Sequence, residues 1–120
     1  MRYVVDTSAI INLTEKLSDE VIDVFKESMT VDLAYYEIGN FLWKVGKTHL
    51  LEDFINILKF LKIESIGLSD EVLTFAMEER ITYYDAAYLF LSRKYNLTLI
   101  SDDQDLINKG AKRTSDILTQ

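Results

Sequence analysis

The chain has 120 residues, 48% of them hydrophobic, which suits one compact core burying roughly two-thirds of the unfolded surface, so a single domain over residues 1–120 is expected. It has no cysteine and one histidine, His49, read as a surface residue; disulfides, zinc–thiolate sites, thiol nucleophiles and zinc sites needing two imidazoles are therefore excluded. The net charge of −7 argues at first sight against nucleic acid, no apolar run reaches the roughly 18 residues that cross a bilayer, and no leader-like segment precedes the first strand, so a cytoplasmic protein with no membrane partner is expected.

In chain order, Tyr3, Val4 and Val5 form a brief β-rich run that stops at Asp6-Thr7-Ser8, good capping residues ahead of Ala9-Ile10-Ile11. A strand feeding a helix is predicted there. Val21, Ile22, Val24 and Phe25 recur at helical spacing, and residues 29–33 follow as a strand. Ile38, Phe41, Leu42 and Val45 mark one face of a helix over 35–47, and a second helix is predicted over 51–61. Residues 63–68 read as a short strand, and Ser69-Asp70-Glu71 opens a helix carrying Val72, Leu73, Phe75 and Ala76. A further helix is predicted over 82–94. Residues 97–100 are a buried-type strand ending at Ser101-Asp102-Asp103-Gln104-Asp105, before Leu106 and Ile107. Alternating strands and helices indicate an α/β fold around a largely parallel sheet, whose functional crevice lies at the carboxyl ends of the strands. Both acidic turns belong to that edge.

The acids also have structural readings. Asp6 can cap the helix after it; Ser101 with Gln104 has capping-box spacing, and Thr82 with Asp85 approximates the same device. Glu37 sits at the edge of an apolar stripe, where a half-buried carboxylate needs a cation, a hydrogen-bond donor or a raised pKa, a salt bridge being the duller alternative. Asp85 precedes Ala86 and Ala87, whose small side chains let the backbone approach another layer. Acids without nitrogen or sulfur ligands favour Mg²⁺ or Mn²⁺ over zinc.

Three segments, VVDTSAIINL at 4–13, LAYYEIGNFLWK at 33–44 and YYDAAYLFLSRKYNLTLISDDQDL at 83–106, together resemble the PIN domain family, in particular its single-domain VapC-type toxins. The resemblance implies a three-layer α/β fold with a central parallel sheet of four or five strands flanked by helices. It also implies a Mg²⁺- or Mn²⁺-dependent endoribonuclease, whose catalytic and metal-holding acids fall on Asp6, Glu37, Asp85 and Asp103. Asp102 is the alternative for the fourth acid. Thr7, Ser101 and Asp105 match auxiliary positions, and Ser8 completes the small polar pair after the first acid. An RNA substrate, a cognate antitoxin laid across the active-site groove and a homodimer are the partners such kinship implies.

The proposed cluster accounts for four of the seven excess negative charges, and a bound cation reverses the local field, which weakens the objection from acidity. Arg93, Lys94, Lys109, Lys112 and Arg113 flank the last acidic turn in sequence and are candidates for backbone contacts, or are simply solvated surface. Tyr35, Tyr36, Tyr83 and Tyr84 precede two of the acids and are candidates for base stacking or, for at least half of them, core packing. Trp43 and the phenylalanines read as core or dimer interface. Two other classes compete: a phosphoacceptor regulatory domain, for which no lysine near the last strand is evident, and a non-catalytic module whose acids only cap helices.

Overall fold

A computed structural model describes residues 1–118. Four short parallel strands, β1 (Tyr3–Val5), β2 (Ser28–Val31), β3 (Lys62–Glu64) and β4 (Thr98–Ile100), form one sheet in the order β3-β2-β1-β4. Tyr3 pairs with both Ser28 and Thr98, and Met29 pairs with Lys62. The inner strands are buried on both faces, Val4, Val5 and Val31 fully so, and the two polar residues of β2 are satisfied there, Ser28 Oγ donating to the Val24 carbonyl and Thr30 Oγ1 to the Val5 carbonyl, each at 2.7 Å.

The helices are α1 (Thr7–Leu17), α2 (Val21–Phe25), α3 (Leu33–Lys44), α4 (Leu51–Leu58), α5 (Asp70–Glu79), α6 (Tyr83–Tyr95), α7 (Gln104–Ile107) and α8 (Thr114–Leu118). Among the described residues no helix is long and apolar enough to cross a membrane. The α6 helix packs against β1, β2 and β4, and this close approach is possible because Ala86 and Ala87, both fully buried, present only methyl groups to the sheet. It ends at Asn96 in a left-handed conformation, whose amide bonds back to Ser92 and Arg93.

Most predicted elements stand where the pattern puts them, with differences at the ends. The second strand stops at Val31, and Leu33 already belongs to α3, because Asp32 turns the chain. The third strand is shorter and earlier than residues 63–68: beyond Glu64 the backbone amides of Ile66 and Gly67 donate to Asp32 Oδ1 at 3.0 and 3.1 Å instead of to a strand. Nothing in the periodicity anticipates α8 or the bridge between Ile100 and Lys112 that ties the segment before it to the free edge of β4. Some of the aromatics depart further from expectation. Phe25 and Phe54 are core, and Trp43, 79% exposed, and Phe60 lie at the surface, which leaves the interface half of the expectation for those two; the tyrosines are what departs from it. Tyr35, Tyr36 and Tyr84 are exposed and only Tyr83 is packed, since the two-residue pairs lie at helix starts that project past the edge of the sheet.

The strand order locates the functional edge. From β1 the chain steps outward through β2 to β3, then returns across the sheet to β4 on the other side of β1. The order therefore reverses between β1 and β4, and a crevice opens where the segments after those two strands diverge.

Candidate metal centre

The crevice is delimited by the turns after Val5 and Ile100. Asp6 is only 4% exposed and is the N-cap of α1, its Oδ1 accepting from the Ala9 amide at 2.9 Å and from Ser8 Oγ at 2.7 Å. Its Oδ2 accepts from Ser101 Oγ across the crevice. Ser101 in turn accepts from the Asp103 amide at 2.9 Å, and Ser8 Oγ accepts from the Asp102 amide at 2.9 Å. The two turns are thus stitched together by serine hydroxyls. Asp103, not Ser101, is the N-cap of α7, its Oδ1 taking the Asp105 amide at 2.8 Å, so the capping box expected between Ser101 and Gln104 does not form. Ser101 is drawn instead to the buried Asp6. Thr82 does cap α6, accepting from the Asp85 amide at 3.2 Å.

Two helices bring the remaining acids. Asp6, Glu37, Asp85 and Asp103 line one cavity of ≈ 340 Å³, together with Asn12 and Tyr88. Carboxylate oxygens of Asp85, Asp103 and Asp105 lie within 4.8 Å of one another at its mouth. Asp102 points elsewhere: it accepts from Asn12 Nδ2 at 2.6 Å, from the Thr114 amide at 2.9 Å and from Thr114 Oγ1 at 2.7 Å, tying α1 to the start of α8. Asp103 therefore faces the cavity and its sequence neighbour does not.

Glu37 is half-buried. Its Oε1 accepts from Tyr88 Oη at 2.9 Å and from Thr7 Oγ1 at 3.2 Å, and those two hydroxyls are 2.9 Å apart. Both donors address one oxygen, leaving Oε2 for the cavity. Tyr88 is the participant that sequence reading missed. A tyrosine three residues beyond an acid on an apolar helix looks like core, and only the approach of α6 to α1 and α3 puts its hydroxyl beside Glu37.

The electrostatics fit a hard cation. Among the described residues the ion pairs join Arg2 to Glu27, Lys47 to Glu15, and Arg93 and Lys109 to Glu79; none involves an acid of the cavity. Burial, then the charges of Asp103, Asp6, Asp105 and Glu37, push the Asp85 carboxyl up to about 7. Asp6 is pushed up to about 6 by burial, against the hydrogen bonds from Ser101, Ala9 and Ser8 that favour its charged form. Glu37 is raised as well, by burial and by Asp103, with Tyr88 and Thr7 opposing. Tyr88 is pushed well above the ordinary tyrosine range by burial and by the Glu37 charge, so its proton stays in place. Burial would also raise Asp102, but its bonds from Asn12 and Thr114 outweigh that and hold it low. Carboxylates crowded without a basic partner are the donor set of a site for Mg²⁺ or Mn²⁺, which prefer oxygen ligands.

The basic residues expected near the last acidic turn do not converge on this cavity. Arg93 sits on α6 about 12 Å from Asp85, from eight residues at 1.5 Å each. Arg93, Lys109 and Lys112 line a separate cleft beside the amino end of β4, where Glu79 takes Arg93 at 3.0 Å and Lys109 at 3.9 Å. For Arg93 nearness to Asp85 in sequence is undone by the length of α6, and Lys109 and Lys112, beyond α7, have turned back to the same cleft.

A crevice lined by carboxylates that form no ion pair among the described residues, at the switch point of a small parallel α/β sheet, is the architecture this chain presents. The PIN domain family model matches residues 3–112, and the chain belongs to that family. Ribonuclease VapC3 of Pyrobaculum aerophilum is 31% identical over 124 residues, covering 91% of this chain and 95% of the relative. Exonuclease VapC9 of the same organism is 30% identical over 115 residues, covering 91% and 86%. The crystal structure of PAE2754 from Pyrobaculum aerophilum superposes with a TM-score of 0.88 at 29% identity, covering 99% of this chain and 95% of that one. The VapC-type kinship expected from the three motifs is borne out, as is the parallel α/β fold.

Proposed function

We propose that the protein is a Mg²⁺- or Mn²⁺-dependent endoribonuclease and the toxin of a type II toxin–antitoxin pair, acting in the cytoplasm. The observation that carries this reading is the cavity in which Asp6, Glu37, Asp85 and Asp103 meet with no lysine or arginine among the described residues to neutralise them. A buried like-charge cluster is unfavourable by itself; protons relieve it at low pH, and at neutral pH a bound cation would do so, which supports this reading. The names of the VapC relatives, one a ribonuclease and one an exonuclease, support nucleic-acid hydrolysis as the reaction class.

In this reading Asp85, Asp103 and Asp105, whose oxygens lie within 4.8 Å of one another, would hold the ion, with Asp6 and Glu37 lining the same cavity as Asp85 and Asp103. A divalent ion held there would supply a lowered water pKa and charge compensation at the phosphodiester and the leaving oxygen. The protein's own contribution is orientation. Ser101 and Ser8 fix the Asp6 carboxylate, Tyr88 and Thr7 fix Glu37, and the Glu37 oxygen left free accepts a proton from attacking water. Serine and threonine hydroxyls, having no charge of their own, orient these acids without neutralising them.

An antitoxin that covers the crevice and a homodimer complete the proposal. A partner carrying basic side chains fits the uncompensated acids, and the exposed Trp43 on α3 supports a contact surface between copies. The deciding experiment maps cleavage ends in total RNA incubated with the protein and Mn²⁺, with Asp6→Asn and a chelator as controls. Discrete internal cuts that vanish in both controls are expected. Cuts of equal intensity in the Asp6→Asn protein, or none in any metal, overturn the reading.

A further inference from the structure

Next to the acid cavity lies a second, more apolar one of ≈ 330 Å³, with Asp32, Tyr36, Gly67, Leu68, Tyr83 and Tyr84 in its wall. The two cavities are neighbours through the backbone: Tyr36 precedes Glu37 on α3, and Tyr84 precedes Asp85 on α6. Consecutive Cα atoms are about 3.8 Å apart, so on each of two helices a wall residue of this cleft and an acid of the cavity spring from neighbouring backbone positions.

The cleft has a fixed floor. Asp32 heads α3 without capping it; its Oδ1 reaches across to accept from the amides of Ile66 and Gly67 at 3.0 and 3.1 Å. Tyr83 Oη donates to the Gly67 carbonyl at 2.6 Å and accepts from the Ser69 amide at 3.0 Å. The segment between β3 and α5 is therefore pinned from both sides, and Gly67, at φ +46°, supplies the left-handed turn that a residue with a side chain rarely adopts. Above this floor the walls are open to solvent. Tyr36 is 66% exposed, Tyr84 is 46% exposed and Leu68 is fully exposed. Asp32 Oδ2 accepts no hydrogen bond among the described residues.

We propose that this cleft is a nucleobase subsite, in which an unpaired base beside the scissile phosphate stacks on Tyr36 and Tyr84 and donates to Asp32 Oδ2. The inference rests on the ribonuclease reading above. Aromatic faces take any base, so stacking supplies affinity without selectivity. The carboxylate supplies selectivity. Guanine offers adjacent N1–H and N2–H donors on its Watson–Crick edge, whereas uracil flanks its one donor with two carbonyl oxygens that face Asp32 unfavourably. The same carboxylate repels phosphate, which keeps the strand's backbone toward the cation side of the crevice. Guanine, with two adjacent donors, fits this oxygen best; adenine and cytosine, each with an amine beside a ring acceptor, fit it less well, and uracil least.

The test uses a single-stranded RNA library of random sequence cut by the full chain with Mn²⁺, the ends being sequenced. Guanine is expected to dominate at one position next to the cut. Tyr84→Ala should lower kcat/KM about tenfold while leaving the Mn²⁺-induced rise in melting temperature unchanged, since base–aromatic stacking is lost and the acids are not. Asp32→Asn keeps an oxygen for the Ile66 and Gly67 amides but turns the other atom into a donor, so the preference should move from guanine to bases with acceptor edges. An even base distribution, or an unchanged guanine preference in Asp32→Asn, overturns the subsite while leaving the ribonuclease reading intact. Conversion of a dimer into a monomer by Tyr84→Ala, measured by light scattering, also overturns it by showing that a second copy covers the face. If the protein cuts no RNA, calorimetry with guanine-containing and all-uracil pentanucleotides decides, and equal affinities end the proposal.

Discussion

Tyr88 Oη donates to Glu37 Oε1 at 2.9 Å, so a side chain fully buried in α6 fixes the orientation of an acid on α3. The Thr7 hydroxyl, 2.9 Å from that of Tyr88, closes the triangle from α1. Replacing Tyr88 by Phe leaves Glu37 Oε1 with the Thr7 donor alone. The expected cost is about 1 kcal/mol of stability, together with a several-fold rise in the Mn²⁺ concentration that half-saturates the melting shift. If the hydroxyl acts through Glu37, adding Tyr88→Phe to Glu37→Gln should change Mn²⁺ affinity far less than it does alone. Additive effects in that double-mutant cycle would refute the coupling.

Asp6→Asn separates capping from metal binding. Asn caps about as well as Asp, and its oxygen still accepts from the Ala9 amide, so α1 keeps its start. The metal-free variant is expected to melt at or above the wild-type temperature, because one charge of the cluster is gone, and to lose most of the upward shift caused by Mn²⁺. Calorimetric melting with and without Mn²⁺ checks this. Identical metal shifts in the two proteins would exclude Asp6 from the cation's surroundings.

The raised carboxyl groups make a pH prediction whose sign follows from proton linkage. Asp85 at about 7 and Asp6 at about 6 both lie above the ordinary 3.8, so between roughly pH 4 and 7 the folded protein holds protons that the unfolded chain has released. The folded state is then favoured at the acid end of that window, and stability falls as pH rises through the two folded values. Scanning the metal-free protein from pH 5 to 8 should show a declining melting temperature, a shallower decline in Asp85→Asn, and recovery at pH 8 on adding Mn²⁺. A flat profile in wild type would show that the crowding is relieved in solution.

Adjacent aspartates are expected to behave differently. Asp102→Ala strips partners from Asn12 and Thr114 and should cost about 1–3 kcal/mol while leaving the Mn²⁺ shift in place. Asp103→Ala removes the cap of α7, a loss of about 1 kcal/mol, and should abolish the Mn²⁺ shift. Denaturant titration paired with Mn²⁺ melting distinguishes them. The reverse pattern would move the site to Asp102.

The strand, helix and turn pattern, and the choice of oxygen-only chemistry, follow from local sequence. Short apolar, strand-forming runs that end in Asp or Ser are readable because burial and capping act over a few residues; Tyr3 to Val5 before Asp6, and Leu99 and Ile100 before Ser101, are examples. Glu37 stands out for a similar reason, since a carboxylate at the edge of an apolar stripe needs an explanation. Sequence also poses capping and a place in the cavity as rivals, whereas the folded chain has both: Asp103 spends Oδ1 on a helix start, and Asp6 spends Oδ1 on a helix start and Oδ2 on Ser101, while both line the cavity.

Tertiary structure decided what depends on distance between elements. The choice between Asp102 and Asp103 turned on which way two neighbouring side chains leave one turn, and Thr114, from a helix the periodicity did not reveal, took Asp102 away from the cavity. Tyr88 joined the site and Arg93 left it for the same reason: α6 runs from the acids to the far edge of the sheet, so positions on one helix serve opposite ends of the molecule. The local code sets which residues start and stop an element. Which of them share a cavity depends on the parallel pairing of β1 with β4, strands more than ninety residues apart in the chain, a non-local arrangement that only the assembled sheet establishes.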